Sequence, residues 1–311
     1  MFRSDRLGLS AALVVAIVYL SVSTPYFASW DNAVNISTAI SYTGICAAIS
    51  TLVLAGGGVD LSVAAVMASA GTTAASLLDA GFPAWVAILA ALLVGAVVGL
   101  INALLITGVG INPLIATIGT QFAVRGFAYI VIDSRELLIS DKTFLYLGQG
   151  RIIGLPVASL IMVATFVVVG FAMRMTVFGR HVYAIGGSPD GTMARLSGVP
   201  VRRRQYQMYI ASGVVSALAG VVLASYSGSA TGNAALGLEL PVIAAVILGG
   251  TALGGGRGTV VGTVLGVILL GIINNGLTLR SVPYVWLFVV QGCALLLAVV
   301  IDERRQRSEA R

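Results

Sequence analysis

The sequence predicts an all-α, polytopic transmembrane helical bundle of about ten spans, with residues 1–311 forming a single domain. Three observations predict it. Only 10% of residues are charged and 58% are hydrophobic, with a mean hydropathy of +1.00, whereas a water-soluble domain is about 25% charged. Apolar stretches of about 20 residues recur from end to end, each long enough to cross roughly 30 Å of hydrocarbon. From Val59 to Ile132 the charged side chains are Asp60, Asp79 and Arg125 alone. No charged or Pro/Ser-rich linker divides the chain, so one unit is expected rather than two.

The first predicted span, near 9–29, follows Met1–Arg6 and is too long for the apolar core of a signal peptide, so it is read as an uncleaved span. Spans near 36–56 and 59–79 are separated by Ala55-Gly56-Gly57-Gly58-Val59-Asp60-Leu61-Ser62. Spans near 84–107 and 113–132 lead to a polar loop at 133–156, in which Arg135, Lys142 and Arg151 balance Asp133, Glu136 and Asp141. A span near 157–173 precedes the loop 174–204, which holds six Arg against the single acid Asp190. The remaining spans lie near 206–226, 238–253, 258–279 and 284–301. The last but two of these ends in a second glycine-rich stretch, Leu248-Gly249-Gly250-Thr251-Ala252-Leu253-Gly254-Gly255-Gly256-Arg257-Gly258.

Charge then orients the chain. The segment 174–204, the tail 302–311 with four Arg, and the N-terminus with Arg3 and Arg6 together hold twelve of the eighteen basic residues. Ten spans put all three on one side. Basic loops resist translocation against the membrane potential and the anionic leaflet, so that side is cytoplasmic and so are both termini. A pI near 9.6 is explained by this bias and not by nucleic-acid binding. Cys46 and Cys293 are too dispersed for a disulfide framework or a metal cluster and are read as small packing residues.

The glycine stretches occupy matching positions in the two halves, where an inward-going span turns back. Paired Gly-interrupted segments suggest pseudo-symmetric halves whose opened helices line a pathway. Glycines also serve tight turns and close helix contacts, and both readings stand for Gly57, Gly58, Gly249 and Gly250. Asp60, followed by Ser62, is expected to cap the helix that follows rather than to touch a solute. Arg125 lies inside a span, where a charge costs about 2.5–3.5 kcal/mol on insertion scales, and so needs protein or water around it. Glu239 is one possible partner. Asn102, Gln121, Asn274 and Asn275 add neutral hydrogen-bonding groups that suit a hydroxylated solute, with interhelical bonding as the alternative. His181, beside Arg180, is expected at a surface rather than on a metal.

Several chemistries lack their residues. The sole lysine, Lys142, follows Asp141, so no Gly-Lys-Ser/Thr phosphate loop exists. No G-x-S-x-G, H-E-x-x-H or C-x-x-C occurs either, and no nucleophile–base pair or metal-ligand set suggests an enzyme. A self-sufficient secondary transporter or facilitator remains open, with Asp60 and Arg125 as its candidate coupling groups, although no Asp/Glu/His relay can be traced.

Three blocks carry a resemblance to a known family. Gly57-Gly58-Val59-Asp60-Leu61-Ser62-Val63 resembles the G-G-I-D-L-S-V signature of ribose-type monosaccharide ABC importer permeases. Ala184-Ile185-Gly186-Gly187 followed by Ala194-Arg195-Leu196-Ser197-Gly198-Val199 is similar to that family's central cytoplasmic loop. Ile243 through Thr251, Gly262-Thr263 and Asn274-Asn275-Gly276-Leu277 resemble its C-terminal block, and Arg125-Gly126 its Arg-Gly pair. The resemblance implies a transport subunit of the bacterial inner membrane without catalytic residues or a cofactor of its own. It further implies a second permease chain as homo- or heterodimer partner, an extracytoplasmic sugar-binding protein, and cytoplasmic subunits that bind ATP and Mg. The pathway would lie between the two permease chains. The loop at about 174–204, through Gly186, Gly187, Arg195, Leu196, Ser197 and Gly198, would dock on the ATPases.

Overall fold

The computed structural model describes residues 2–188, 191–283, 285, 286, 289–293, 296, 299 and 300. The expected span 284–301 lies partly, and the basic tail 302–311 wholly, outside them, as does Asp190. The described chain is mostly helical: α1 (Phe2–Ser23), α2 (Trp30–Ala39), α3 (Ser41–Ala55), α4 (Val63–Asp79), α5 (Ala84–Ala103), α6 (Pro113–Val131), α7 (Lys142–Gln149), α8 (Val157–Met175), α9 (Val177–Gly186), α10 (Thr192–Leu196), α11 (Val201–Ser227), α12 (Glu239–Leu248) and α13 (Val260–Leu279). Four two-residue strands pair as two small antiparallel ribbons: β1 (Leu137–Leu138) with β4 (Ser229–Ala230), and β2 (Arg151–Ile152) with β3 (Leu155–Pro156).

Among the described residues, five helical stretches are long and apolar enough to cross a membrane: Ala84–Val109, Pro113–Val131, Val157–Met175, Val201–Ser227 and Val260–Leu279. A sixth arises if α2 and α3, bent by 48°, act as one. Several expected boundaries are corrected. The first helix stops at Ser23 instead of reaching residue 29, and the helix expected at 206–226 begins five residues earlier, at Val201. The segment 238–253 is not one helix: α12 has 10 residues, about 15 Å at 1.5 Å per residue, half a hydrocarbon core. The segment 59–79 starts helical only at Val63, because residues 58–61 form no regular secondary structure. Hydropathy counts apolar residues whether or not they are helical, so it ran through both turns.

Local chemistry accounts for the ends and bends. Ser29, Asn112, Asp141, Thr176 and Thr259 each accept a backbone N–H of the first turn of α2, α6, α7, α9 and α13, as N-cap residues do. At the α2–α3 bend the hydroxyls of Thr38 and Ser41 donate to Val34 and Thr38 carbonyls, a competition with the backbone ladder that bends helices. The end of α5 widens into a π-helical turn at Leu104–Val109, closed by Gly110 at φ 89°.

The interior is a membrane-type packing of small residues. Gly95 and Gly99 on α5 meet the backbone of α11 at Gly213 and Tyr209, so that a Cβ at either glycine would strike a main-chain oxygen. This small-xxx-small spacing brings backbones together where apolar burial cannot drive association. Gly71 meets Ala224 and Gly220 meets Met67 where α4 crosses α11. Cys46 is fully buried in the largest apolar cluster, whereas Cys293 is exposed. At one end, Arg280, just past α13, bonds Thr24, Tyr19 and Ser23 at the end of α1. The two helices therefore end together, and the start of α1 lies with the start of α13.

Candidate functional site

Two helix ends share one geometry. After α3, Gly57 N–H donates to Leu54 O at 2.9 Å and Gly58 N–H to Val53 O at 3.0 Å. After α12, Gly250 N–H donates to Ile247 O at 2.8 Å and Thr251 N–H to Val246 O at 3.2 Å. These are two copies of the Schellman motif, with Gly57 at φ 77° and Gly250 at φ 87° supplying the left-handed residue that the motif requires. Behind the turns, Thr51 and Thr263 share a 2.6 Å hydroxyl–hydroxyl bond across α3 and α13.

The two turns and the central loop converge. Gly256 N–H donates to Ala55 O at 2.9 Å. A Cβ on Gly186 would lie 2.6 Å from the Gly256 nitrogen, and one on Gly255 would lie 2.7 Å from the Gly57 Cα. One on Gly256 would lie 2.7 Å from the Gly187 Cα. Three chain segments thus touch backbone to backbone, and only glycine leaves room. The half-buried Tyr183 on α9 straps this contact: its hydroxyl, held above the usual tyrosine range by burial, donates to Gly258 O at 2.8 Å. Beneath the contact opens a cavity of about 1100 Å³, lined among others by Gly57, Asn112, Gly186, Ser188, Arg195 and Gly256.

The segment expected to dock partners forms α9, a turn and α10. Ile185, Ala194 and Val201 are buried together and fix α10 against α9 and α11. Gly198, at φ 79°, closes α10, and Val199 N–H returns to Ala194 O at 3.0 Å. Arg195, Leu196, Ser197 and Gly198 are all exposed, Leu196 by 79%, as is Met193 by 67%. A short helix with two bare apolar side chains and a guanidinium is a surface that protein can cover. His181 accepts from Arg204 Nε at 3.0 Å.

The polar residues inside the bundle separate into three groups. Asp60 is buried: its Oδ1 accepts from Ser62 N–H at 3.0 Å and Ser62 Oγ at 2.6 Å, and its Oδ2 from Ser212 Oγ at 2.6 Å. Asn102, with no exposure, donates to Ser62 Oγ at 2.9 Å. This network ties the approach to α4 to α5 and α11, and it does not line the large cavity. Asn275 forms a reciprocal amide pair with Asn32 of α2, at 3.0 and 2.9 Å, while the main-chain carbonyl of Asn274 accepts from Thr278. Gln121 donates to Glu239 at 3.1 Å. Arg125 does not bond Glu239 directly: it donates to the carbonyls of Gly232 at 3.0 Å and Ala234 at 2.6 Å. Sequence reasoning missed Ser212, Asn32 and the structural use of Gly255 and Gly256. A serine within an apolar helix carries no signal of which acid it will meet.

Residues 32–300 match a family model described as the permease component of the branched-chain amino acid transport system. The chain belongs to this permease family. The L-arabinose transport system permease protein AraH of Escherichia coli K12 is 37% identical over 305 residues, covering 98% of this chain and 92% of that one. The ribose import permease protein RbsC of Bacillus subtilis 168 is 37% identical over 303 residues, covering 97% and 94%. An L-arabinose ABC transporter permease protein AraH of Azospirillum brasilense is 36% identical, covering 97% and 88%. No solved structure matches the chain. As a permease component it is a multi-pass membrane protein whose work is transport and not catalysis.

Proposed function

We infer that this permease is the membrane-spanning subunit of a bacterial inner-membrane ABC importer, conducting a monosaccharide or related small hydroxylated solute by alternating access. The observation that carries the reading is full-length similarity to arabinose and ribose permeases, joined to a chain with no phosphate loop. Fuel then comes from separate subunits that bind ATP and Mg, and solute from an extracytoplasmic binding protein. The permease pairs with a second permease chain, and the pathway runs between them. Residues 1–311 act as one domain of about ten spans in two pseudo-symmetric halves, and the matched Schellman turns at Gly57 and Gly250 support this internal repeat. The basic loop orients both termini to the cytoplasm.

In this reading α10 is the ATPase-docking element. It packs through Ala194 on Ile185 of α9, and α9 ends at Gly186 and Gly187 in the same glycine contact that fixes the turns after α3 and α12. Closure of the ATPases would therefore pull on both halves at once. ATP can shift the outward/inward equilibrium only through contacts that differ between the two states, and backbone contact without side chains transmits a displacement with little slack. Gln121 and Arg125, with Asn274, are the pathway candidates at the far end. Asn102 and Asn275 are candidates through the helices they hold. Arg195→Glu reverses the charge of an exposed side chain on α10. Copurification with the ATPase should fall at least tenfold while the permease stays monodisperse, and undiminished copurification would remove α10 from the docking role.

The family description also names branched-chain amino acids. Competition of labelled pentose uptake by excess L-leucine separates the two solute classes, and absence of competition is expected.

A further inference from the structure

Toward the end of the bundle opposite the glycine contact, Nε and Nη2 of Arg125 and Oε2 of Glu239 are buried with no partner among the described residues. Arg125 is 9% exposed. Gln121, one turn before it on α6, holds the other Glu239 oxygen, so both ions belong to one cluster. They still make no direct ion pair. Buried donors and acceptors left unmade carry a full desolvation penalty, and these are closed in by this chain's own residues, so a neighbouring chain cannot reach them without movement.

The chemistry of the orphan atoms is specific. The Nε–Nη2 edge of a guanidinium presents two parallel N–H groups to two adjacent oxygens. Glu239 Oε2 accepts one proton. We propose that Arg125, Glu239 and Gln121 form a subsite for a vicinal diol of a neutral sugar, whose two oxygens accept from Arg125 while one hydroxyl donates to Glu239. The proposal deepens, and rests on, the reading of the chain as a sugar permease. A neutral diol satisfies both charges of the cluster without adding one.

The same guanidinium also fixes a loop. Its Nη1 clamps the loop 228–238 through Gly232 and Ala234. That loop places Gly228, Ala235 and Gly237 at φ 68°, 58° and 84°. Ala235 is a non-glycine residue in the left-handed region, where an L side chain is disfavoured, and the Ala234 carbonyl beside it receives the shorter Arg125 bond. Beside the loop lies a separate cavity of about 190 Å³ lined by Met67, Gly71, Gly220, Ser229, Thr231 and Ala234; Arg125, Gln121 and Glu239 do not line it. A diol on the Nε–Nη2 edge leaves Nη1 on the Gly232 and Ala234 carbonyls, so one guanidinium holds solute and loop together.

The test uses vesicles holding the whole importer, with labelled D-ribose, L-arabinose, their monodeoxy analogues and L-leucine as probes. Wild type should take up a pentose at least tenfold faster than its most impaired deoxy analogue. In Glu239→Gln and Arg125→Lys, which lose the charge or the fork, pentose uptake should fall about tenfold and that discrimination shrink to within twofold. Comparing the ratio across variants cancels the preference of the binding protein. Gln121→Leu, which leaves both ions in place, should give a smaller loss in the same direction and guards against misfolding of the charge variants. Discrimination unchanged in all variants overturns the subsite while leaving the sugar-permease reading intact. Uptake of leucine in preference to pentoses by wild type overturns the diol. A wild-type importer that carries no pentose removes the reading on which the subsite rests.

Discussion

Glycine in this permease does two different things, and single substitutions tell them apart. Gly186 has no room for a methyl group, because a Cβ would meet the Ala55 carbonyl and the Gly256 nitrogen. Gly126 is helical and has nothing within 4 Å of its Cβ position. Gly186→Ala should therefore lower stability by about 1–3 kcal/mol, the usual scale of overpacking. Gly126→Ala should be neutral or stabilising by roughly 0.5–1 kcal/mol, the helical preference of alanine over glycine. Thermal unfolding in detergent, compared with wild type, checks both, and an equal response of the two variants would contradict the contact. Ala235→Gly tests backbone strain in the same assay. Removing a Cβ from φ 58° should raise stability by about 1 kcal/mol, visible as a higher Tm.

Polar residues inside helices act here mainly by joining elements. The Asn32–Asn275 pair links α2 to α13, and either Asn→Leu substitution strands the other amide. Interhelical hydrogen bonds in membranes are worth about 0.6 kcal/mol on average and rarely above 1.7 kcal/mol. Each single variant should lose about that much, and the double variant should lose less than the sum, a coupling that a double-mutant cycle reads directly. Full additivity would show that the two amides do not act as a pair. The α5–α11 crossing is far less tolerant. Gly99→Leu places a branched side chain against the Tyr209 carbonyl, so it should abolish the monodisperse species in size-exclusion chromatography, whereas Leu100→Ala, on an exposed position of the same helix, should not.

What was legible in the sequence follows from the physics of each signal. Apolar length located α5, α6, α8, α11 and α13, because a window of hydropathy measures the property that makes a helix cross lipid. It blurred α4 and α12, since Val59, Leu61, Ala252 and Leu253 are apolar without being helical. The glycine stretches were visible as places where helices stop. Their meeting with Gly186 and Gly187 was not, because contact between residues 57, 186 and 256 is a fact of tertiary packing that no local pattern encodes. Arg125 was conspicuous from its cost in a span. Its carbonyl partners were hidden, because a main-chain oxygen is present at every residue and marks none.

As a whole molecule, the proposed importer subunit is a conduit that other subunits fuel. The phosphate loop is missing from its sequence, and Gly186 and Gly187 at the end of α9 meet the chain after α3 and after α12 backbone to backbone. In the proposed function, coupling enters from outside the bundle and passes through that backbone contact. The most direct measurement is solute uptake into vesicles reconstituted with the permease, its ATPase and its binding protein, against vesicles with the permease alone. Accumulation should require all three components and ATP, and should vanish when hydrolysis is blocked. Accumulation by the permease alone, driven by an ion gradient, would contradict the account.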